Sequence, residues 1–568
     1  MSSSSYDAFR VQRAATAATG TVTTARGRGA VACVSREASE LAVAVLRDGG
    51  NAFDAAFALA FGLCVHHPQA GNIGGGGYLL YHEAGAREPR VLSFREQAPL
   101  GARREAFLKA DGSPDPDRTS YGPASVCVPG TVKAFFTLRE RHGRLRSRDL
   151  LTEVARRAAA GAHVTRYEAE CLNRLGPKLA ASPEARRWYV KDTPWAAGDL
   201  LHNAALARTL EHLAAEGERA FYHGRIAEQL VGDLAANGGF VSAADLASYE
   251  VREPAALSIE VRGQRVYVPP PESGGALLVD VLGILDRDAF HRLQPGSPDW
   301  WHLVAQACKL AFVDRVDYLG DIPLADNAAY QGLATRRDAD RLFGLIDPSR
   351  DTPVDDLARR ARDLRAAPAK TGPGGADTTH FAVIDAEGNA VSASYTMNLR
   401  YGSKWAIDGA GFLVNGSIDS FSFALGKENY YGVIGSEPNL FAPGKRPSSN
   451  MAPVMVTNGA RVTAAVGTPG GPTIPTTLAA VLLPILGHGR PPAEVIQSGR
   501  LHHQGWPDVL YEETGTVPKE LVAELATRGY TVKDKHELIS DVHGVVADGD
   551  RWLAVSDWRR EGLALALE

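Results

Sequence analysis

Residues 364 to 377 read Leu-Arg-Ala-Ala-Pro-Ala-Lys-Thr-Gly-Pro-Gly-Gly-Ala-Asp, and the apolar pattern has a different period on either side of them. The stretch has no apolar period of its own and clusters Pro and Gly, as a mobile linker does. Before it, from roughly residue 130 to 350, amphipathic patterns at helical spacing run over Leu150 to Ala160, Ala204 to Glu216, Ile226 to Asn237 and Trp301 to Tyr318. After it, His380 to Ile384 alternates, Asp385-Ala-Glu-Gly-Asn389 supplies turn residues, and Ala390 to Thr396 alternates again, which predicts a hairpin. Centring the turn on Glu387 pairs residues whose numbers sum to 2 × 387 = 774, so Thr378 would face Thr396. Further strands are expected at Gly411 to Asn415, Ala452 to Asn458 and Arg461 to Val466, then helices near Thr476 to Leu486 and Pro518 to Arg528. A chain that changes period in this way is α+β in class.

At 568 residues the chain exceeds what one hydrophobic core serves, so two structural halves are expected, separate or interleaved. The 61 basic and 66 acidic side chains are scattered without a basic stripe, which argues against a nucleic-acid partner. The five cysteines lie far apart with no C-x-x-C pair, so neither a disulfide framework nor a zinc site is indicated. The first residues lack a basic n-region and apolar h-region, and no later apolar run is long enough to span a membrane. The expected location is therefore cytoplasmic, with no membrane contact.

In the first hundred residues, Ser35 to Cys64 predicts two helices: Gly49-Gly50 stops the first, Asn51 and Asp54 restart the second, and its alanines suggest close packing. Asn72-Ile-Gly-Gly-Gly-Gly-Tyr78 then reads as loop before strand. The tetraglycine lacks the G-K-[ST] ending of a phosphate loop and precedes a strand, so close approach of two backbones is its better explanation. Gly467-Thr-Pro-Gly-Gly-Pro472 differs, because a Gly-Gly step after a strand can aim backbone N–H donors at one point. The doublets His66-His67 and His502-His503 have no i, i+4 partner, so capping or packing is expected, with no metal and no cofactor. No G-x-S-x-G elbow and no thiol-protease signature occurs. By chemistry alone, Thr378 at a linker-to-strand boundary is an ordinary strand residue.

Six segments taken together change that reading: Asn72-Ile-Gly-Gly-Gly-Gly-Tyr, Ser93-Phe-Arg-Glu-Gln-Ala-Pro, Thr378-Thr-His-Phe-Ala-Val-Ile-Asp, Tyr395-Thr-Met-Asn, Gly444-Lys-Arg-Pro and Gly467-Thr-Pro-Gly-Gly. In this order and spacing the chain resembles the γ-glutamyltranspeptidase family, from about residue 25 to about 560. The resemblance implies an N-terminal nucleophile hydrolase with a four-layer αββα sandwich and a helix-rich large-subunit region. It also implies a precursor that cuts its own Asp377–Thr378 bond, giving a large fragment 1–377 and a small fragment 378–568 that remain together as a heterodimer. Thr378 would be the nucleophile and its freed α-amine the base. Thr396 would orient it, and the Gly470 and Gly471 N–H groups would hold the oxyanion. Arg95 matches the arginine that clamps a substrate carboxylate, Tyr431 a lid tyrosine, and Asn398 and Ser449 substrate-contacting positions.

The departures bear on the substrate. Aligning Leu413-Val-Asn-Gly-Ser-Ile-Asp-Ser-Phe421 by its Phe places Ser420 where γ-glutamyl-cleaving members carry an aspartate for the substrate ammonium, and Ser417 where an acidic or amide side chain is usual. The family's Ser-Ser pair stands here as Ser449-Asn450. Losing a charge-assisted contact costs about 1.5 to 3 kcal/mol, roughly tenfold or more in affinity, unless Asp419 turns inward. The implied partner is a small carboxylate substrate, by default a γ-glutamyl amide such as glutathione, with hydrolysis or transfer to an amine. The alternative is a carboxylate without an α-ammonium, such as an oxalyl or oxamate-like amide or a C–C bond beside an activated carbonyl. A catalytically silent binding or scaffold relative is a third reading, and a penicillin-type acylase a fourth, against which Arg95 argues.

Overall fold

Alternation of buried side chains along the strands builds the layers of this molecule. The computed structural model describes residues 22–322, 336–365, 378–425 and 436–568. Its two main sheets use β1 (Thr23–Gly27), β2 (Gly29–Cys33), β3 (Gly76–His82), β4 (Arg90–Ser93), β5 (Leu257–Val261), β6 (Gln264–Val268), β7 (Thr379–Ile384), β8 (Ala390–Thr396), β9 (Val454–Asn458), β10 (Arg461–Gly467), β11 (His543–Asp548), β12 (Arg551–Ser556) and β13 (Leu563–Leu567). One sheet has six strands in the order β13-β2-β7-β8-β3-β4, the other seven in the order β1-β12-β11-β10-β9-β6-β5. Neighbours in both run antiparallel.

Ala30, Ala32, Ala382, Ile384 and Ala390 of the six-stranded sheet meet Met455, Ala465, Val545 and Ala554 of the other in one buried cluster. Their neighbours in the chain, Val31, Cys33, Phe381, Val383, Val391 and Ala393, point to the opposite face, where they pack on α1 (Arg36–Arg47) and α2 (Ala52–His66). On the seven-stranded sheet, Val266, Val454, Val466 and Val555 pack outward on α3 (Gly275–Leu285), α4 (Pro298–Tyr318) and α5 (Thr473–His488). Small side chains at the inner positions let two pleated sheets stack closely, and a period of two puts every second residue there. The result is the four-layer αββα sandwich.

The first two helices start where the sequence places their caps. Ser35 Oγ accepts the Ala38 N–H, and Asn51 and Asp54 form a reciprocal capping box. All fifteen residues of α2 are buried, consistent with its alanine content. The β7–β8 hairpin keeps the expected register, with Ala390 opposite Ile384 and Tyr395 opposite Thr379.

Several expectations need correction. The hairpin β5–β6 lies inside the region read as helical. Its alternation and the Arg262-Gly263 turn, both at positive φ, are the signals that helical periodicity elsewhere obscured. Gly411 to Asn415 is not a strand: it makes only isolated bridges, Ala406 with Leu413 and Gly74 with Val414. Leu364 and Arg365, read as linker, end the helix Val354–Arg365. Gly76 and Gly77, read as loop, already belong to β3. Linker residues 366–377, including Asp377, and the lid candidate Tyr431 lie outside the described residues. No helix among the described residues is long and apolar enough to cross a membrane.

Candidate active site

Thr378 directly precedes β7 and is 2% exposed. Continuing the β7–β8 ladder by one position sets it opposite Thr396. Ala382 and Ile384 face the second sheet, so alternation puts 378 and 380 on that inner face, and 394 and 396 with them across the hairpin. His380 Nδ1 lies 2.9 Å from Ser394 Oγ, and Ser392 Oγ reaches across the sandwich to the Val466 carbonyl at 3.4 Å. Burial, reinforced by the nearby His543, holds the His380 imidazole well below its ordinary pKa, so it is neutral around pH 7.

The glycine loop lies against this point. A Cβ on Gly467 would fall 2.3 Å from His380 Nδ1, so β10 ends beside the inner face of β7. Gly470 and Gly471 follow with φ of +132° and +64°, conformations that favour glycine, and α5 begins at Thr473. The Gly-Gly step therefore sits at the positive end of a 16-residue helix.

The tetraglycine brings Thr396 into register. Cβ atoms on Gly74, Gly75 and Gly77 would fall 2.2, 2.0 and 2.3 Å from the carbonyl oxygens of Leu413, Thr396 and Ser394. Close backbone approach is thus its role. Thr396 Oγ1 accepts the Asn398 N–H at 2.8 Å, with Asn398 itself at φ +71°.

A ring of buried polar groups joins most of the remaining candidates. Asn398 Nδ2 donates to Gly416 O, and its Oδ1 accepts Ser420 Oγ–H at 3.0 Å. Asn439 Nδ2 donates to Ser420 O at 2.8 Å, and Asn439 Oδ1 accepts the Ser448 N–H at 2.9 Å. Arg95 Nη2 donates to Ser448 O at 3.4 Å and Nε to Pro447 O at 3.2 Å, while Nη1 pairs with the Glu96 carboxylate. Ser417 Oγ–H closes the ring onto Glu96 Oε1 at 2.7 Å. Asp419 is buried and accepts Ser120 Oγ–H at 3.1 Å. Ser449 Oγ accepts the Met451 N–H, and Asn450 Oδ1 accepts from Arg315 Nε at 3.2 Å.

Two carboxyl groups here escaped the sequence reading. Glu96 is fully buried, and its Oε2 lies 2.9 Å from where a Cβ on Gly76 would stand; Gly76 pairs with Thr396 across β3–β8. That places the Arg95–Glu96 pair next to the Thr396 end of the hairpin. Glu96 stands in the Ser93-Phe-Arg-Glu-Gln-Ala-Pro segment, where nothing in the sequence marks it as the partner of the arginine. Glu272, whose carbonyl accepts the Ser449 N–H, has its carboxyl pushed up to about 7 by burial. Its position inside a Pro-Pro-Glu-Ser-Gly-Gly turn carried no chemical signal. The histidine doublets pack: His502 Nδ1 lies 2.8 Å from Thr476 Oγ1, and His503 lies 3.2 Å from Asp508. Among the described residues no group of three or more His, Cys, Asp or Glu is arranged to hold a metal ion.

Comparison with known proteins bears on this arrangement. The γ-glutamyltranspeptidase family model matches residues 38–567. A glutathione hydrolase proenzyme of Escherichia coli K12 is 34% identical over 535 residues, covering 94% of this chain and 90% of that protein. Among solved structures, the cephalosporin acylase of Bacillus halodurans superposes with a TM-score of 0.82 over 99% of both chains at 23% identity, a likeness of fold. A γ-glutamyltranspeptidase chain from Helicobacter pylori, 33% identical, covers 56% of this chain and 92% of its own length with a TM-score of 0.54. With a family model spanning nearly the whole chain and a sandwich of the N-terminal nucleophile type, the chain belongs to the γ-glutamyltranspeptidase family.

Proposed function

We propose that this hydrolase is made as a precursor that cuts its own Asp377–Thr378 bond, and that the freed Thr378 then cleaves amides of small carboxylate-bearing acyl groups. The observation that carries the reading is the placement of Thr378. It is a buried hydroxyl directly before β7, opposite Thr396 on the continued ladder and two residues from His380, against which the glycine loop begins. In the first step Thr378 Oγ attacks the Asp377 carbonyl carbon, the C–N bond breaks, and an ester with a free Thr378 amine results. Water hydrolyses that ester, leaving Asp377 as a new C-terminus and fragments 1–377 and 378–568. In turnover the α-amine takes the Thr378 hydroxyl proton as Oγ attacks the substrate carbonyl, and the Gly470 and Gly471 N–H groups receive the oxyanion. The amine leaving group departs with that proton, and water or an acceptor amine then releases the acyl group.

Arg95 supports recognition of a carboxylate. Three of its five N–H groups go to Glu96, Pro447 O and Ser448 O, which leaves one on each terminal nitrogen for a substrate oxygen. γ-Glutamyl amides are the first substrate class, as the glutathione hydrolase relatives suggest. Ser420 favours a second reading, an acyl group without an α-ammonium, because its hydroxyl is committed to Asn398 Oδ1 and brings no charge. The test compares the protein with Thr378→Ala by denaturing gel and intact mass, then assays a γ-glutamyl anilide. Two fragments and anilide release only with Thr378 present is the expected result. Fragments without anilide release would shift the acyl class to the second reading. A chain that stays whole through prolonged incubation would overturn the proposal.

A further inference from the structure

The loop that carries Gly470 and Gly471 is held from one side by two hydroxyls. Thr473 Oγ1 donates to Gly470 O at 2.9 Å and lies 2.7 Å from Ser540 Oγ. Thr473 has one hydroxyl proton, which Gly470 O takes, so Ser540 supplies its own to Thr473 Oγ1. A Cβ on Gly470 would stand 2.3 Å from Thr473 Oγ1 and 2.4 Å from Ser540 Oγ, so the pair fills the space beside this glycine. In a trans peptide the C=O and the following N–H point in opposite directions. Fixing the Gly470 carbonyl therefore fixes the direction of the Gly471 N–H. The Thr473 N–H also reaches Gly470 O, at 3.4 Å, and helix capping does not account for the shorter hydroxyl contact. The N-cap position of α5 is Pro472 with no side-chain cap, and Thr473 donates to a carbonyl outside the helix instead of accepting one of its free N–H groups.

Ser540 is held rigidly for this. Its φ is +61°, a left-handed conformation that a serine adopts at a cost, and the chain on both sides is tied down. Ile539 N–H donates to Glu513 Oε1 at 2.7 Å, and Arg500 Nη1 donates to Ile539 O at 2.6 Å. Thr468 Oγ1 donates to Asp541 O at 2.8 Å and accepts the Asp541 N–H at 3.1 Å, which clamps the 540–541 step to the far end of the same glycine loop. Val542 N–H donates to Asp557 Oδ2 at 3.0 Å. Glu513 and Asp557 both pair with Arg559, and Asp557 also with Arg500, in a buried four-charge cluster.

We propose that Ser540 and Thr473 are positioning residues of the oxyanion site: their relayed hydroxyls hold the Gly470–Gly471 peptide so that the Gly471 N–H meets the developing oxyanion. The inference rests on the reading of Thr378 as nucleophile and of this loop as its oxyanion site. Because hydrogen bonds to an oxyanion form in the transition state, losing their aim lowers the chemical rate and leaves ground-state binding alone.

The experiment follows acylation of Thr378 in the processed protein by p-nitrophenyl acetate, an activated ester that needs no particular acyl pocket, read as mass added to the small fragment. Thr473→Val keeps the shape without the hydroxyl and should slow the maximal acylation rate 10- to 100-fold at an unchanged half-saturating ester concentration. Thr473→Ser should restore it to within about threefold. Ser540→Gly relaxes the left-handed backbone while deleting the hydroxyl. It should melt no lower than the parent yet acylate 3- to 10-fold more slowly, and it supplies the reading if Thr473→Val does not mature. Unchanged acylation in both hydroxyl-deleted variants, or a Thr473→Ser as slow as Thr473→Val, would overturn the proposal while leaving the nucleophile intact. If Thr378→Ala, whose chain stays uncut, is acylated within residues 378–568 at the parent's rate, read by peptide mass, the reading of Thr378 itself fails, and the proposal with it.

Discussion

At the scale of single residues, the site depends on backbones brought closer than side chains permit. Gly75 packs on the Thr396 carbonyl, and an added methyl would stand 2.0 Å from that oxygen, with Asn72 Oδ1 at 2.7 Å. Gly75→Ala should therefore cost about 3 kcal/mol or more and shift Thr396 out of register, read as a lower melting temperature together with slowed cleavage of the proposed Asp377–Thr378 bond. The pH dependence of turnover is also set here. His380 stays neutral through the physiological range because burial holds its pKa far down, so it adds no step near pH 7. Under the proposed mechanism the rate should rise with pH through about 7 to 8, the range of an α-amine, as the Thr378 amine loses its proton and can act as base. A profile in which kcat/KM falls across that range would exclude the amine as base. Thr378 itself is chemically ordinary in the sequence, and it stood out only through the segments around it. Glu96 adjoined a residue singled out by family likeness, yet nothing in the sequence says that it neutralises Arg95 and takes the Ser417 hydroxyl.

At the scale of elements, periodicity was legible where the element is long and misleading where pairing is short. The helices over Ala204–Glu216, Arg225–Ala236 and Pro298–Tyr318 fall close to their predicted spans. Gly411 to Asn415 carries a short Phe-Leu-Val run that suggests a strand, but Gly411 sits at φ +72° and the segment finds only single bridging partners. The helix Arg166–Leu179 carries a different kind of signature. Glu168 is buried, its Oε1 has no hydrogen bond, and desolvation pushes its carboxyl up to about 8 from an ordinary 4.5. Below about pH 4.5 both folded and unfolded chains hold this proton, and between about 4.5 and 8 only the folded chain does. Stability from this group is therefore fully present below the unfolded value and is lost as pH rises, by a few kcal/mol in order of magnitude, levelling off above about 8. Glu168→Gln should flatten the fall in melting temperature between pH 5 and pH 8.5 and raise stability at the alkaline end. An unchanged slope would show that Glu168 is not the group responsible.

At the scale of the whole molecule, the two halves expected from length are interleaved. β7 and β8, which follow residue 377, lie between β2 and β3, which precede it; β9 and β10 lie between β6 and β11. Cutting the chain at the proposed bond therefore leaves each fragment with strands whose hydrogen-bonding neighbours belong to the other. The fragments should co-elute on native size exclusion as one particle of the precursor's mass, and part only in denaturant, where the buried sandwich faces are exposed. Elution of two separate species after cleavage would contradict this interleaving.

By itself the sequence determined the local elements and the chemistry available. Caps at Ser35 and Asn51, the turn at Asp385–Asn389, the alternation that opposes Thr378 to Thr396, and glycines that only close packing explains are all written in short-range pattern. Such features depend on a residue's own dihedrals and near neighbours, which a sequence specifies directly. Tertiary structure alone decided which strands neighbour one another beyond the β7–β8 hairpin, that Glu96 lies between Arg95 and Ser417, and that Ser540 braces the glycine loop through Thr473, 67 positions away in the chain. Those contacts follow from how layers stack and which buried polar groups must find partners, and partners so distant along the chain leave no periodic trace in it.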